Sequence, residues 1–170
     1  AERLERLVTN LLDFARPKEP QISELDLNTL LSDVKAFLQP RLETANVSLR
    51  ITTDPNPLFI RSDPNGLRQV LLNALFNAID ASASGGTVVL ETFRENEGKS
   101  VAMQIDDSGT GLDARDPDEL FQPFVTTKPR GTGLGLSVSR QIMESLGGGI
   151  TLGNNPKGGA RCSIRLPLDR

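Results

Sequence analysis

The first periodic signal along the chain is a stripe of Leu4, Leu7, Leu11 and Phe14, with Val8 and Ala15 beside it. Steps of three and four put these residues on one helical face, as a short heptad seam. Pro17 and Pro20 end the pattern, and Pro17 pushes Arg16 away from helical geometry. So short a seam reads either as the end of a longer partner helix or as an amphipathic helix docked on its own domain. Residues 17–25 read as a linker. Asp26 then caps a second helix with an apolar face of Leu27, Leu30, Leu31, Val34 and Leu38, which Pro40 is expected to kink.

Residues 47–52 alternate as a strand does, and 58–61 suggest a second short one. Residues 64–82 carry the clearest helical pattern, with Pro64 suited to the first turn. Two strands follow at 87–93 and 101–105, joined by a polar turn over 94–100. Residues 112–130 are irregular, 134–146 are helical, and 150–152 and 161–166 close the chain as strands. Strands and helices alternate early and hairpins come late. The fold class is therefore α+β, a two-layer α/β sandwich with a mixed sheet and helices on one face.

Three segments carry candidate chemistry. On the 64–82 helix, about 100° per residue puts Leu67, Val70, Leu71, Ala74, Leu75 and Ala78 on the core face. Asn73, Asn77 and Asp80 fall together beside it. Their amide and carboxylate oxygens suit a hard cation such as Mg²⁺, which keeps waters and shares phosphate oxygens. The second segment, Asp106-Asp107-Ser108-Gly109-Thr110-Gly111, follows a strand and reads as a ligand-reading corner or a plain turn. The third, Gly131-Thr132-Gly133-Leu134-Gly135-Leu136, opens a helix and offers free N–H groups to phosphate. It fits neither the dinucleotide-binding nor the P-loop pattern. Before it, Thr126, Thr127, Lys128 and Arg130 supply hydroxyls and cations suited to a lid.

Composition narrows the chemistry. The 170 residues contain no histidine and one cysteine, Cys162. Imidazole metal sites, Ser-His or Cys-His catalysis and an intramolecular disulfide are thereby excluded. Lys and Arg number 19 against 22 Asp and Glu, a net charge of -3. That balance draws the chain neither to nucleic acid nor to an anionic membrane. No apolar run reaches the roughly 18 residues of a membrane span. A start at Ala1, inside a helical pattern, reads as a piece of a longer protein.

Taken in order, the segments resemble the catalytic domain of sensor histidine kinases of two-component systems. That domain belongs to the wider superfamily with gyrase, the mismatch-repair ATPases and the heat-shock chaperone ATPase. The matching boxes are the N box (73–81), the first glycine box (107–111), the F box Phe121-Gln122-Pro123-Phe124, and the second glycine box (131–135). The short lid is most similar to kinases of the nitrogen-regulation type. The resemblance implies a Bergerat ATP-binding fold with a mostly antiparallel sheet over residues 26–170. Residues 1–25 would be the end of the dimerization and phosphotransfer helix plus a linker.

The resemblance also implies ATP and Mg²⁺ as cofactors, and roles for single residues. Asn77 is the implied Mg²⁺ ligand, and Asn73 lies one turn earlier near the phosphates. Asp107 accepts from the adenine amine, and Gly109, Gly111 and Leu112 pass close to the base. Asp80 and Ala81 line the pocket. Gly131, Thr132, Gly133, Leu134, Gly135 and Leu136 hold the triphosphate and hinge the lid. Thr126, Thr127, Lys128 and Arg130 are its phosphate contacts, with Asn73, Asn77 and Lys128 the catalytic candidates. One departure is Gly159-Ala160-Arg161-Cys162, where many relatives have Gly-Thr-x-Phe. Support for the adenine site must then come from a water or a main-chain group. The larger departure is the absent phosphoacceptor histidine, expected upstream on the dimerization domain.

The implied activity is a protein histidine kinase in the cytoplasm, its parent a homodimer and its partner a response regulator receiver domain. Two alternatives stay open: an anti-sigma-type serine kinase and a non-catalytic nucleotide-sensing module.

Overall fold

The computed structural model describes residue 8 and residues 19–168, apart from 55, 114, 115 and 130. The stripe of Leu4, Leu7, Leu11 and Phe14 and the lid cation Arg130 lie outside the described residues. Among the described residues the elements run β1 (Ser23–Asp26), α1 (Leu27–Ala45), β2 (Ser48–Thr52), β3 (Phe59–Ser62), α2 (Pro64–Ala81), β4 (Thr87–Glu95), β5 (Ser100–Asp106), α3 (Gly135–Ser145), β6 (Gly149–Asn154) and β7 (Ala160–Pro167). A 3-10 turn at Asn96–Gly98 joins β4 to β5, and another at Pro117–Phe121 interrupts the irregular stretch.

The main sheet has the order β2-β4-β5-β7-β6. Only β2 and β4 are parallel; the other neighbours are antiparallel. The sheet is thus mixed and mostly antiparallel, as expected. Residues 23–25 correct the linker reading, because β1 pairs with β3 in a separate ribbon, Leu25 opposite Ile60. A strand with one apolar residue shows no alternation, and its pairing partner is remote in sequence.

Sequence dictates each helix's buried face. α1 buries Leu27, Leu30, Leu31, Val34, Leu38 and Leu42, and α2 buries Leu67, Val70, Leu71, Ala74, Leu75, Ala78 and Ile79. Asp26 and Asp63 cap these helices by accepting from the N–H of Asn28 and Asn65. α1 runs through Pro40 without interruption of its span. The sheet answers with alternate inward residues, including Val88 and Leu90 on β4, Met103 and Ile105 on β5, and Cys162 and Ile164 on β7. Register aligns Leu90, Ile105, Cys162 and Leu152 in one row across four strands. Ile105, Cys162 and Leu152 of that row become a wall of the cleft.

Candidate functional site

A cleft of about 920 Å³ opens between α2, the sheet and the loop before α3. At one end stands Asp107, the residue after β5, only 9% exposed. Its Oδ1 accepts from the N–H groups of Gly109 (2.9 Å) and Ala160 (3.0 Å). Its own N–H donates to the Ala160 carbonyl at 3.0 Å. Oδ2 takes no hydrogen bond among the described residues, so one oxygen is anchored by main chain and the other has no protein partner there. At position 160 it is thus the main chain, not a side chain, that contacts the Asp107 carboxylate.

Close backbone packing makes this corner possible. A Cβ on Gly159 would sit 2.0 Å from the Asp107 carbonyl oxygen, and Gly159 has φ +79°. A Cβ on Gly109 would meet the Ala81 carbonyl at 2.5 Å. Asn154 pins the following loop, its Oδ1 accepting from the Leu112 N–H at 2.6 Å. Below Asp107, the lining residues Ala78, Ile105, Leu152 and Cys162 make an apolar wall. Burial pushes the Cys162 thiol up to about 12, so it stays neutral and packs as a small apolar group.

The other end of the cleft lies between α2 and α3. Asn73 Nδ2 donates to the Gly135 carbonyl (3.1 Å) and to Ser139 Oγ (3.2 Å), tying the two helices together. Gly135 and Leu136, in the first turn of α3, line the cleft. Their N–H groups lack intrahelical acceptors and suit an anion. The loop between the F box and α3 is closed at its root, where the Phe124 N–H donates to the Gly133 carbonyl at 2.9 Å. Both residues are left-handed, φ 65° at Phe124 and 68° at Gly133, a conformation a phenylalanine rarely adopts. Behind the loop, Phe121 is buried under the Arg140 guanidinium, 3.8 Å from its ring centre.

From this loop Lys128 reaches back to α2. Its Nζ donates to Asn77 Oδ1 and to Asp80 Oδ2, both at 2.9 Å. Arg41 of α1 donates to the other oxygen of Asp80 at 2.5 Å. Burial raises the Asp80 proton affinity, but the bonds and charges of Arg41 and Lys128 outweigh it. The carboxyl is held below its ordinary value. Two oxygens thus converge on one cationic nitrogen. An amide and a carboxylate oxygen are donors that Mg²⁺ accepts, and the ammonium marks where a cation sits.

Of the residues singled out in the sequence, Asn73, Asn77, Asp80, Ala81, Asp107, Gly111 and Leu112 line the cleft. So do Thr126, Thr127, Lys128, Gly131, Thr132, Gly133, Gly135 and Leu136. Gly109 does not; it packs against the end of α2. Leu134 does not either, being 2% exposed with its side chain turned inward. Sequence reading missed Arg41, Asn154 and the main-chain role of Ala160. Arg41 and Asn154 lie 39 and 42 residues from their partners, with no local signal to join them.

The profile of the histidine kinase-, DNA gyrase B-, and HSP90-like ATPase family matches residues 62–170. Sensor histidine kinase ZraS of Escherichia coli O157:H7 is 36% identical over 99% of this chain. Sporulation kinase A of Bacillus subtilis is 32% identical over 97%. The chain spans 36% and 27% of those two proteins' lengths. Among solved structures, the catalytic domain of histidine kinase ThkA superposes with TM-score 0.80 and 29% identity, over 87% of this chain and 96% of that one. Full-length ShkA in complex with AMPPNP gives TM-score 0.85 and 28% identity, over 97% and 36% of the two chains. ThkA in complex with the response regulator protein TrrA gives 0.83 and 27%, over 98% and 48%. By sequence and by fold, this chain belongs to the histidine kinase-, DNA gyrase B- and HSP90-like ATPase family, as an ATP-binding catalytic domain of the sensor histidine kinase kind.

Proposed function

We propose that this domain binds ATP with Mg²⁺ and donates the γ-phosphoryl group to a histidine on a dimerization domain. Residues 1–22 are then the end of that domain's second helix with a linker, and residues 23–170, from β1 onward, the catalytic unit. The anchored carboxylate of Asp107 carries the reading. Its Oδ2 meets the exocyclic amine of adenine, while guanine would set a carbonyl there, acceptor against acceptor. The row of Ile105, Cys162 and Leu152 covers one face of the base.

At the far end, the N–H groups opening α3 take phosphate oxygens, and Lys128 adds charge. Asn77 offers its amide oxygen to Mg²⁺. When bound, Mg²⁺ neutralises charge on the phosphates as the phosphoryl group moves. Asn73 is an amide with both N–H groups committed to α3, and it cannot take a proton from water. Hydrolysis is therefore slow, and the acceptor must bring its own nucleophile. With no histidine among the 170 residues, that imidazole lies outside them. The AMPPNP complex of ShkA supports the nucleotide assignment. The ThkA complex supports a response regulator receiver domain as the downstream partner. The full-length protein is then a homodimer with this domain in the cytoplasm; among the described residues no helix is long and apolar enough to cross a membrane.

Calorimetric titration with Mg²⁺ and either ADP or GDP tests the pocket, and only ADP should give a binding isotherm. γ-Labelled ATP tests transfer: label should appear on an added histidine-bearing helix pair and not on this chain. Rapid metal-dependent hydrolysis by the domain alone would remove the Asn73 assignment. ADP binding without transfer would instead favour a nucleotide-sensing module.

A further inference from the structure

We propose that Asn77 Oδ1 and Asp80 Oδ2 form one cation seat with two alternative occupants, the Lys128 ammonium and the divalent ion of the nucleotide complex. Arg41 is the positioning residue that keeps the seat open. The inference rests on the nucleotide reading above and adds an exchange step to it.

The geometry carries the argument. An ammonium can only donate, so the amide atom of Asn77 that faces it is the oxygen. Lys128 thereby holds Asn77 in the orientation a hard cation requires. Arg41 takes one oxygen of Asp80 at 2.5 Å and leaves the other, 2.9 Å from Nζ, to complete the seat. A divalent ion cannot share this point with a lysine. At such a distance a charge of two repels the ammonium about as strongly as it attracts the Asp80 carboxylate. Before nucleotide arrives, Lys128 keeps the seat, since a bare divalent ion gives up its waters reluctantly. When phosphate oxygens enter, they share the ion's coordination and offer Lys128 a new anionic partner. The lid cation then moves from protein to substrate. Lys128 sits on the loop closed between Phe124 and Gly133, so the move needs no shift of α2.

Mn²⁺ alone, without nucleotide, is the probe, and its binding is read by electron paramagnetic resonance. Removing the competing charge with Lys128→Met or Lys128→Gln should tighten Mn²⁺ binding by about twofold to fivefold, the worth of an exposed ion pair. Adding Asp80→Asn to Lys128→Met should abolish the gain, because it removes the carboxylate charge of the seat. Mn²⁺ affinity unchanged or weakened in both Lys128 variants would overturn the exchange. Thermal unfolding checks that each variant is folded, and using two Lys128 variants guards against an effect peculiar to one side chain. A parallel ADP titration of the unsubstituted protein separates the two ideas. ADP binding with no gain in the Lys128 variants defeats the exchange alone, whereas no ADP binding defeats the nucleotide reading itself.

Discussion

At the Asp107 end of the cleft the fixing contacts run to main chain; at the Lys128 end they run from side chain to side chain. Asp107 is held by the N–H groups of Gly109 and Ala160, themselves parts of a strand end and its adjoining turn. Lys128, Asp80 and Arg41 hold one another with exposed, flexible stems; the side chains of Lys128 and Arg41 are 38% and 48% exposed. Main-chain anchors are preorganised and move only if the sheet moves. Exposed ion pairs are worth about 0–1 kcal/mol each and can be traded for others. If the proposed reading holds, base recognition is built into the fold, while phosphate recognition is left adjustable.

The sharpest way to break this contrast is Gly159→Ala. A methyl group there meets the Asp107 carbonyl oxygen at 2.0 Å on a left-handed backbone. We expect a loss of about 3 kcal/mol in thermal or denaturant unfolding, together with loss of ADP binding. Unchanged stability would show that the β6–β7 turn gives way freely, and the Asp107 end would no longer count as rigid. Next in size, Asp107→Asn should weaken ATP binding about tenfold to a hundredfold, roughly 1.5–3 kcal/mol, in calorimetry. Wild-type affinity would remove adenine from this end of the cleft.

A pair of glycines sharpens the comparison within the second glycine box. Gly133 has φ +68°, and a Cβ there would lie 2.4 Å from the Phe124 backbone. Gly135 would meet Asn73 only at an ordinary 3.7 Å. Gly133→Ala should cost about 1–2 kcal/mol, whereas Gly135→Ala should leave the melting temperature unchanged or raised. Equal effects would mean that the lid root is not fixed. The smallest effect concerns acid. A carboxyl depressed in the folded state stabilises the fold while ionised. The Asp80 contribution is complete above its ordinary value of 3.8 and lost as pH falls below it. Asp80→Asn should therefore flatten the acid limb of the stability curve below that point and change stability at neutral pH by about 1 kcal/mol or less. An unaltered acid limb would show that the ion pairs around Asp80 do not form in solution.

How much of this was legible in the sequence follows from the range of each interaction. The faces of α1 and α2 are local periodicities, and the buried residues fall where steps of three and four put them. Asn77 and Asp80 share one helix, so their convergence was readable too, as was the place of Asn73 on the same face. β1 was not, because Ser-Glu-Leu-Asp has no alternation to detect and gains its strand character from pairing with β3. Arg41 was invisible for a related reason: a surface arginine on α1 acquires a role only when the fold sets α2 beside it. Leu134 misled because it stands among glycines that do line the cleft. A box motif constrains the backbone there without fixing where each side chain points.

The hydrogen bond between Phe124 and Gly133 has a consequence for how the lid can vary. Closing the loop at its root separates the cost of its length from the geometry of the cleft. By loop-closure entropy each doubling of length costs only about 0.6 kcal/mol. Residues inserted between these two anchors would lengthen the cover over the nucleotide while Asp107, Asn77 and the first turn of α3 keep their places. The lid is therefore the part of this domain that can be lengthened, shortened or recoded at low cost to the fold.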